Sequence, residues 1–327
     1  MAGMTNKKSS YKLSEKIAES VMTALAGVGV LMILFIFIFV FLRAWPVIRE
    51  SGAGLFINTG FDQQIPEALH AHYPMFNFGF LGLISGTVAT TLLSLMLASL
   101  IGIGSAVAIS EFAPKPLAYA LTSLVRLLAS IPSVIFGLIG VIIVVPFIQD
   151  TFVTVDLQLE YLHLFQITGR GLLASVIVLT FMIVPTITAL SADAIAAVPH
   201  RFREAGFAMG MTHFRVIWKI VLPTGRSGII ASVILAAGRG MGEAVAVAMV
   251  SGGIGLVPDF TLGFVSLLAP VLPLSAAIMF HSENMGHEAI TAALFTCAVL
   301  LLLIGTLLSI SARLVNSYMR KKVGDAK

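Results

Sequence analysis

The chain has 327 residues, 58% of them hydrophobic and 11% charged, with 20 Lys+Arg against 16 Asp+Glu and a net charge of +4. A soluble domain carries about 25% charged residues, so this chain has too few to clothe a globular surface in water; a soluble enzyme, a nucleic-acid-binding domain and a disordered chain are excluded. Most of the surface must face lipid. The single cysteine, Cys297, rules out an internal disulfide framework and a cysteine-based metal site, and in its apolar run it reads as a packed small side chain.

Crossing about 30 Å of hydrocarbon takes roughly 20 apolar residues of helix, because every backbone polar group must be bonded within the segment. The first charge-free window runs from Ser20 to Leu42, behind Lys7, Lys8, Lys12 and Lys16. It is longer than the roughly 7 to 15 apolar residues of a signal-peptide core, and it ends in Arg43-Ala44-Trp45-Pro46 rather than a small-x-small cleavage site. It is therefore read as a retained helix. A second window lies within Phe78 to Ser110, a third between Arg126 and Asp150, and a fourth between Arg170 and Asp193. The fifth begins after Arg226 and is interrupted by Arg239 and Glu243; the last lies between Glu288 and Arg313.

Residues 260–280 are also free of charge, and counting them would make seven spans. Lys and Arg collect in short cytoplasmic loops, which decides the matter. Six spans with the N-terminus inside place the N-terminal lysines, Lys115, Arg126, Arg201, Arg203, Arg215, Lys219, Arg226, Arg313, Arg320, Lys321, Lys322 and Lys327 in the cytoplasm. Arg43, Arg49 and Arg170 are left outside; a seventh span would move the C-terminal basic cluster outside as well. Gly263, Pro270 and Pro273 suit a broken segment that dips in from the outer side, shielded from lipid. The outer loops carry Asp62, Glu67, Asp156, Glu160, Glu283 and Glu288, with His70, His72, His163, His281 and His287 read as solvated. None of these loops is long enough for a separate domain. His287-Glu288 begins a zinc-protease motif, but Thr291 stands where its second histidine is required.

Between the fourth and fifth windows, Pro199 can start a helix, Gly210 can end it, and Thr212 can cap a second. Phe214, Ile217, Trp218 and Val221 then fall on one face, with Arg215 and Lys219 on another. From the residues alone, two readings stand: an amphipathic helix lying on anionic lipid, or a docking loop. The fifth window sets a second question. Arg239 and Glu243 are the charged residues inside a predicted span, where each costs about 2.5 to 3.5 kcal/mol if it faces lipid. Four residues apart, they share a helical face, and a helix starting near Ser227 carries Arg239 roughly 18 Å along its axis, near mid-membrane. The pair is either a self-neutralising bridge that fastens the bundle, or a guanidinium that binds an oxyanion and is held by Glu243 when no ligand is present. Pro132, Pro146 and Pro185 read as kinks, and Arg126 as a cation that snorkels or faces a cytoplasmic partner.

Glu204, Ala205, Gly206, Gly210, Ile220, Leu222 and Pro223 match position by position the Glu-Ala-(small)-x3-Gly-x9-Ile-x-Leu-Pro loop of ABC importer membrane subunits. Gly206 stands in place of the commoner second Ala. Residues 238–247, with Gly238, Arg239, Gly242, Glu243, Ala246 and Val247, resemble the Gly-Arg-x-x-Gly-Glu-Thr-x-Ala-Val run of phosphate-specific permeases. Residues 130–137 and 109–114 resemble the same family's third-span start and second-span exit. The resemblance covers roughly residues 78–313 and is closer to PstC-type than to PstA-type subunits. Ala244 replaces the family's usual Thr, and sulfate and molybdate permeases share the Arg-x-x-Gly-Glu core, which leaves the choice among these oxyanions open.

The resemblance implies an all-α, six-helix, type I (MetI-like) permease bundle in a bacterial cytoplasmic membrane, both termini inside, with no catalysis of its own. It implies a cytoplasmic tail over 1–19, a first helix and outer loop over 20–77, a permease core over 78–313 with a coupling loop at 199–223, and a tail over 314–327. Arg239 and Glu243 would line the substrate pathway. Glu204 would face a cytoplasmic ATPase, with Ala205, Gly206 and Gly210 permitting close approach. The chain lacks a Gly-x4-Gly-Lys-Ser/Thr phosphate loop, so no cofactor is expected here and ATP and Mg are expected on that ATPase dimer. A PstA-like second permease and an outer phosphate-binding protein complete the implied assembly. An ATP-independent channel or carrier is the alternative outside this class.

Overall fold

The computed structural model describes residues 2–324; the side chains of 1–15, 17, 312, 315, 316 and 318–327 lie outside that description, and with them the tail charges Lys7, Lys8, Lys12, Arg320, Lys321, Lys322 and Lys327. Among the described residues the fold is helical, with one isolated β-bridge between Gly252 and Val271. Six helices are long and apolar enough to cross a membrane: Ala18–Ser51, Leu81–Phe112, Ser133–Phe152, Leu172–Ala196, His213–Met241 and Glu288–Ser311. Each contains one of the six sequence windows or most of it, because the apolar run that leaves water must also satisfy its own backbone.

In chain order, α1 is Ala2–Ser51, α2 Phe61–His70, α3 Leu81–Phe112 and α4 Lys115–Ala129. Next come α5 (Ser133–Phe152), α6 (Leu172–Ala196), α7 (His200–Ala208), α8 (His213–Met241) and α9 (Val245–Val250), followed by α10 (Leu274–Phe280) and α11 (Glu288–Gly324). The most deeply buried span is α6, which packs along α3 and against α8. The α3 and α6 backbones are drawn together by hydroxyls: Ser94 donates to the Val176 carbonyl at 3.2 Å and Thr180 to the Ser94 carbonyl at 3.4 Å. Small and hydroxylic residues drive such contacts in a membrane, where apolar burial gives little preference for helix over lipid. By contrast, α1 packs on α11 through the edge-on rings of Phe39 and Phe295 and is otherwise exposed along its membrane window.

Residues 260–280 form a broken segment, as their glycine and prolines imply. A 3-10 turn at Phe260–Leu262, a short helix at Val265–Leu268 and then α10 are separated by Gly263, Pro270 and Pro273. Val271, Leu272, Leu274, Ala276 and Ala277 are fully buried. The stray backbone groups are bonded inside protein: Val271 N donates to the Ser251 carbonyl and Leu274 N to the Thr87 hydroxyl of α3. Below it, an outer core joins Phe61, Phe78 and Phe80 to Leu272, Leu274 and Ile290.

Three features differ from the sequence reading. The stretch between the second and third windows, read as a connection that holds Lys115 and Arg126, is largely α4, an amphipathic helix whose end abuts α5 across Ser130-Ile131-Pro132. The fifth span starts at His213 rather than near Ser227 and stops at Met241. Finally, π-helical turns occur at Ala108–Phe112, Gly140–Val144 and Ile217–Val221.

Candidate functional site: an arginine at two helix breaks and a stapled cytoplasmic loop

Arg239 lies at the last turn of α8, and Glu243 lies beyond it in the break before α9. The two are therefore not on one helical face, and among the described residues they form no ion pair. Each has its own work. Glu243 Oε1 accepts from Ala246 N at 3.0 Å, satisfying a free donor at the start of α9, and its carbonyl accepts from the Ser275 hydroxyl of the broken outer segment at 2.8 Å. Arg239 Nη1 instead donates to the Ala129 carbonyl at 3.2 Å and to Thr186 Oγ1 at 3.1 Å. The Ala129 carbonyl is available because α4 ends there, ahead of Pro132.

Two helix interruptions thus meet at one guanidinium, whose side chain is exposed rather than buried. Thr186 stands 14 residues from the outer end of α6 and 10 from its inner end, roughly 21 and 15 Å, so Arg239 does sit near mid-membrane. It lines an open cleft of about 800 Å³ together with Thr186, Gly238, Ser309 and Arg313, and no carboxylate is among the lining residues. A guanidinium held by neutral acceptors on one side keeps donors free for an anion on the other. Thr186 and Ala129 were not singled out in the sequence; nothing local to either marks it as a partner of Arg239.

In the connection between the fourth and fifth spans, α7 ends at Ala208, and Gly210 takes φ +74°, a left-handed value that favours glycine. Glu204 and Ala205 are exposed, whereas Gly206 is buried. A Cβ on Gly206 would come within 2.6 Å of Ile220 Cδ1 and 3.0 Å of Val216 Cγ2. Its smallness serves the packing of α7 on α8. Thr212 stands at the cap of α8 without a side-chain cap bond. The expected apolar face also splits: Ile217 and Val221 are buried, while Phe214 and Trp218 stay 63% and 59% exposed as a paired ring cluster. The π turn at Ile217–Val221 shifts the helical phase, so a 3.6-residue period does not carry through it.

The loop is stapled to the bundle by a pair whose 92-residue separation leaves no local signal. Arg203 Nη2 meets Glu111 Oε1 at 2.7 Å, with side chains 13% and 6% exposed, and its Nε adds a 3.3 Å bond. Its remaining donors reach the Val198 carbonyl at 2.6 Å and the Ile195 carbonyl at 3.0 Å, capping the inner end of α6. One guanidinium therefore ties α7 to the inner ends of α3 and α6. Nearby, Arg126 pairs with Asp193 at 2.8 Å, which supersedes its reading as a snorkelling or ATPase-facing cation; both side chains are over half exposed, so the pair contributes little. On the outer side, His70, His72, His163 and His287 are exposed. His281 is half-buried against the edge of Phe61, at 5.8 Å between ring centres, and so departs from the solvated reading.

Residues 98–321 match the family described as binding-protein-dependent transport system inner membrane component. The chain is 36% identical over 212 residues to the probable ABC transporter permease protein YqgH of Bacillus subtilis, covering 64% of this chain and 61% of that one. It is 33% identical over 243 residues to the phosphate transport system permease protein PstC of Mesorhizobium japonicum, covering 72% of each. With the PstC of Pasteurella multocida it shares 31% over 255 residues, covering 76% and 78%. Among solved structures, an inward-facing MetNI methionine ABC transporter chain superposes with a TM-score of 0.54 at 20% identity, covering 72% of this chain and 94% of that one. A bacterial alginate ABC importer chain gives 0.52 at 16%, covering 89% and 94%. At such identities these two likenesses bear on the fold alone.

Proposed function

The chain belongs to the family of binding-protein-dependent transport system inner membrane components, and from that premise we propose that it is the PstC-type permease subunit of an ATP-driven phosphate importer. It is a multi-pass inner-membrane protein and a transport component. The observation that carries the proposal is Arg239: an exposed guanidinium at mid-membrane, bonded only to neutral oxygens, facing a cleft without a carboxylate. Such a charge is too costly to leave against hydrocarbon and suits an oxyanion that arrives without its water. Glu243 acts beside it as the group that fixes the break, holding α9 and the outer segment in place.

The pathway is completed by a second, PstA-like permease. An outer phosphate-binding protein delivers the ion, and a cytoplasmic ATPase dimer, carrying ATP and Mg, drives the cycle. Both termini and the 199–223 loop lie in the cytoplasm, where Glu204 and Ala205 meet the ATPase and Gly210 holds the turn that presents them. Closure of the ATPases displaces α7; Arg203 passes that displacement to α3 through Glu111 and to α6 through its terminal carbonyls. The bundle then rocks from inward-open to outward-open around Arg239. The test is uptake by the complete complex in proteoliposomes. ATP-dependent phosphate uptake that outcompetes sulfate and molybdate is expected. Uptake that continues without ATP would overturn the importer reading; preference for sulfate or molybdate would overturn the substrate.

A further inference from the structure

A second guanidinium faces the cleft that Arg239 lines. Arg313 of α11 borders this 800 Å³ space and also a cleft of about 540 Å³ nearer the outer side, and the two share Gly238, Ser309 and Arg313. They form one furrow between α8 and α11. These helices run in opposite directions, because the cleft that reaches Met241 and Gly242 also takes in Leu301 and Thr306 of α11, whereas the cleft that reaches back to Ala231 takes in only Ser309 and Arg313 of that helix. Residue numbers on α11 therefore rise toward the side on which α8 begins, and Arg313 lies beyond Arg239 toward the cytoplasm in the proposed orientation.

The furrow's chemistry follows a stripe on α11. Thr306, Ser309 and Arg313 are spaced three and four apart and so share one face of α11. Thr306 gives its hydroxyl proton to the Leu302 carbonyl at 2.6 Å, whereas Ser309 and Arg313 have no hydrogen-bond or ionic partner among the described residues. Arg313 is exposed, and Asp and Glu are absent from the lining of both clefts. A hydroxyl and two guanidiniums, unopposed by acid along one furrow, make a track for an anion: both cations border the same open cleft, and neither binds an ion in a closed cage.

We propose that Arg313, assisted by Ser309, is a second station on the oxyanion route, receiving the ion from Arg239 on its way to the cytoplasm. This rests on the reading of Arg239 as a pathway residue. The test measures phosphate delivered per ATP hydrolysed by the complete complex in phosphatidylcholine vesicles. Arg313→Gln is expected to lower the ratio about tenfold, the effect of losing one charge-assisted hydrogen bond, and Arg313→Lys to restore much of it. The milder Ser309→Ala lowers it about threefold, which keeps the test alive should Arg313→Gln fail to assemble. Ratios within twofold of the unaltered complex for Arg313→Gln or Ser309→Ala overturn the proposal. If Arg239→Gln impairs uptake while these variants do not, only this inference falls; if Arg239→Gln has no effect either, the pathway reading falls with it. A defect confined to vesicles containing phosphatidylglycerol would assign Arg313 to a lipid headgroup and also overturn the proposal.

Discussion

Arg239 and Glu243 stand four apart in sequence yet belong to different pieces of helix, and their hydrogen bonds divide them further. The guanidinium bonds Ala129 and Thr186, while the carboxylate bonds Ala246. They share no hydrogen-bond partner among the described residues, so each removal takes away a separate contact. Arg239→Met is therefore expected to reduce phosphate uptake about tenfold or more, and Glu243→Gln to act mainly by loosening the start of α9, lowering the thermal midpoint. In the double variant the two effects on transport should simply combine. A double variant that transports better than Arg239→Met alone would mean that the two charges neutralise each other, contrary to the geometry.

At the scale of the element, the cytoplasmic loop is decided by what holds it from behind. Arg203→Met leaves the buried Glu111 carboxylate of α3 with only the His213 imidazole, 3.9 Å away, beside it, a loss of about 3 kcal/mol or more. The expected result is an assembly that hydrolyses ATP while moving little phosphate; normal coupling would show that α7 is not tied to the bundle through this pair. Gly206→Val tests the other contact, since its side chain would collide with Ile220 and Val216. It should lower the thermal midpoint by the cost of overpacking, about 1 to 3 kcal/mol, and displace Glu204 from its docking position. Retention of both stability and ATPase co-purification would return Gly206 to the docking face. The three π turns belong to this scale too: the turn at Ile217–Val221 adds the phase shift that separates Trp218 from Ile217 and leaves Phe214 with it outside.

For the molecule as a whole, distant segments meet at Asp62 of α2, which accepts from the Gly255 N–H, and at His281, beyond α10, which lies edge-on to the Phe61 ring. Burial raises the Asp62 pKa against the opposing pull of the Gly255 N–H and of His281. Burial lowers the His281 pKa from 6.5 despite the nearby carboxylates of Asp62 and Glu283. The folded state thus favours neutral His281. Its contribution is fully present above pH 6.5 and is lost as pH falls below that value, because the unfolded chain takes up the proton first. The thermal midpoint in detergent should fall between pH 7.5 and 5.5, and fall less in His281→Gln; an equal fall in both would remove His281 as the cause.

The sequence by itself settled what depends on local runs of residues. Scarce charge and apolar length gave the six spans, the prolines gave a broken segment at 260–280, and Pro199 and Gly210 bounded α7. Backbone satisfaction in lipid is a local requirement, so it leaves a local mark. The charged residues in the fifth window were also visible, as was the docking loop, through its spacing. Their partners were not. Arg203 meets Glu111 across 92 residues and Arg239 meets Ala129 across 110, and a backbone carbonyl carries no side-chain signal at all. Only the tertiary structure decided that Arg239 and Glu243 part company, because the end of α8 at Met241 is stabilised by Ser275 and by the packing of α9, contacts made by distant segments. Spacing counts residues along a helix; it cannot show where that helix stops being one.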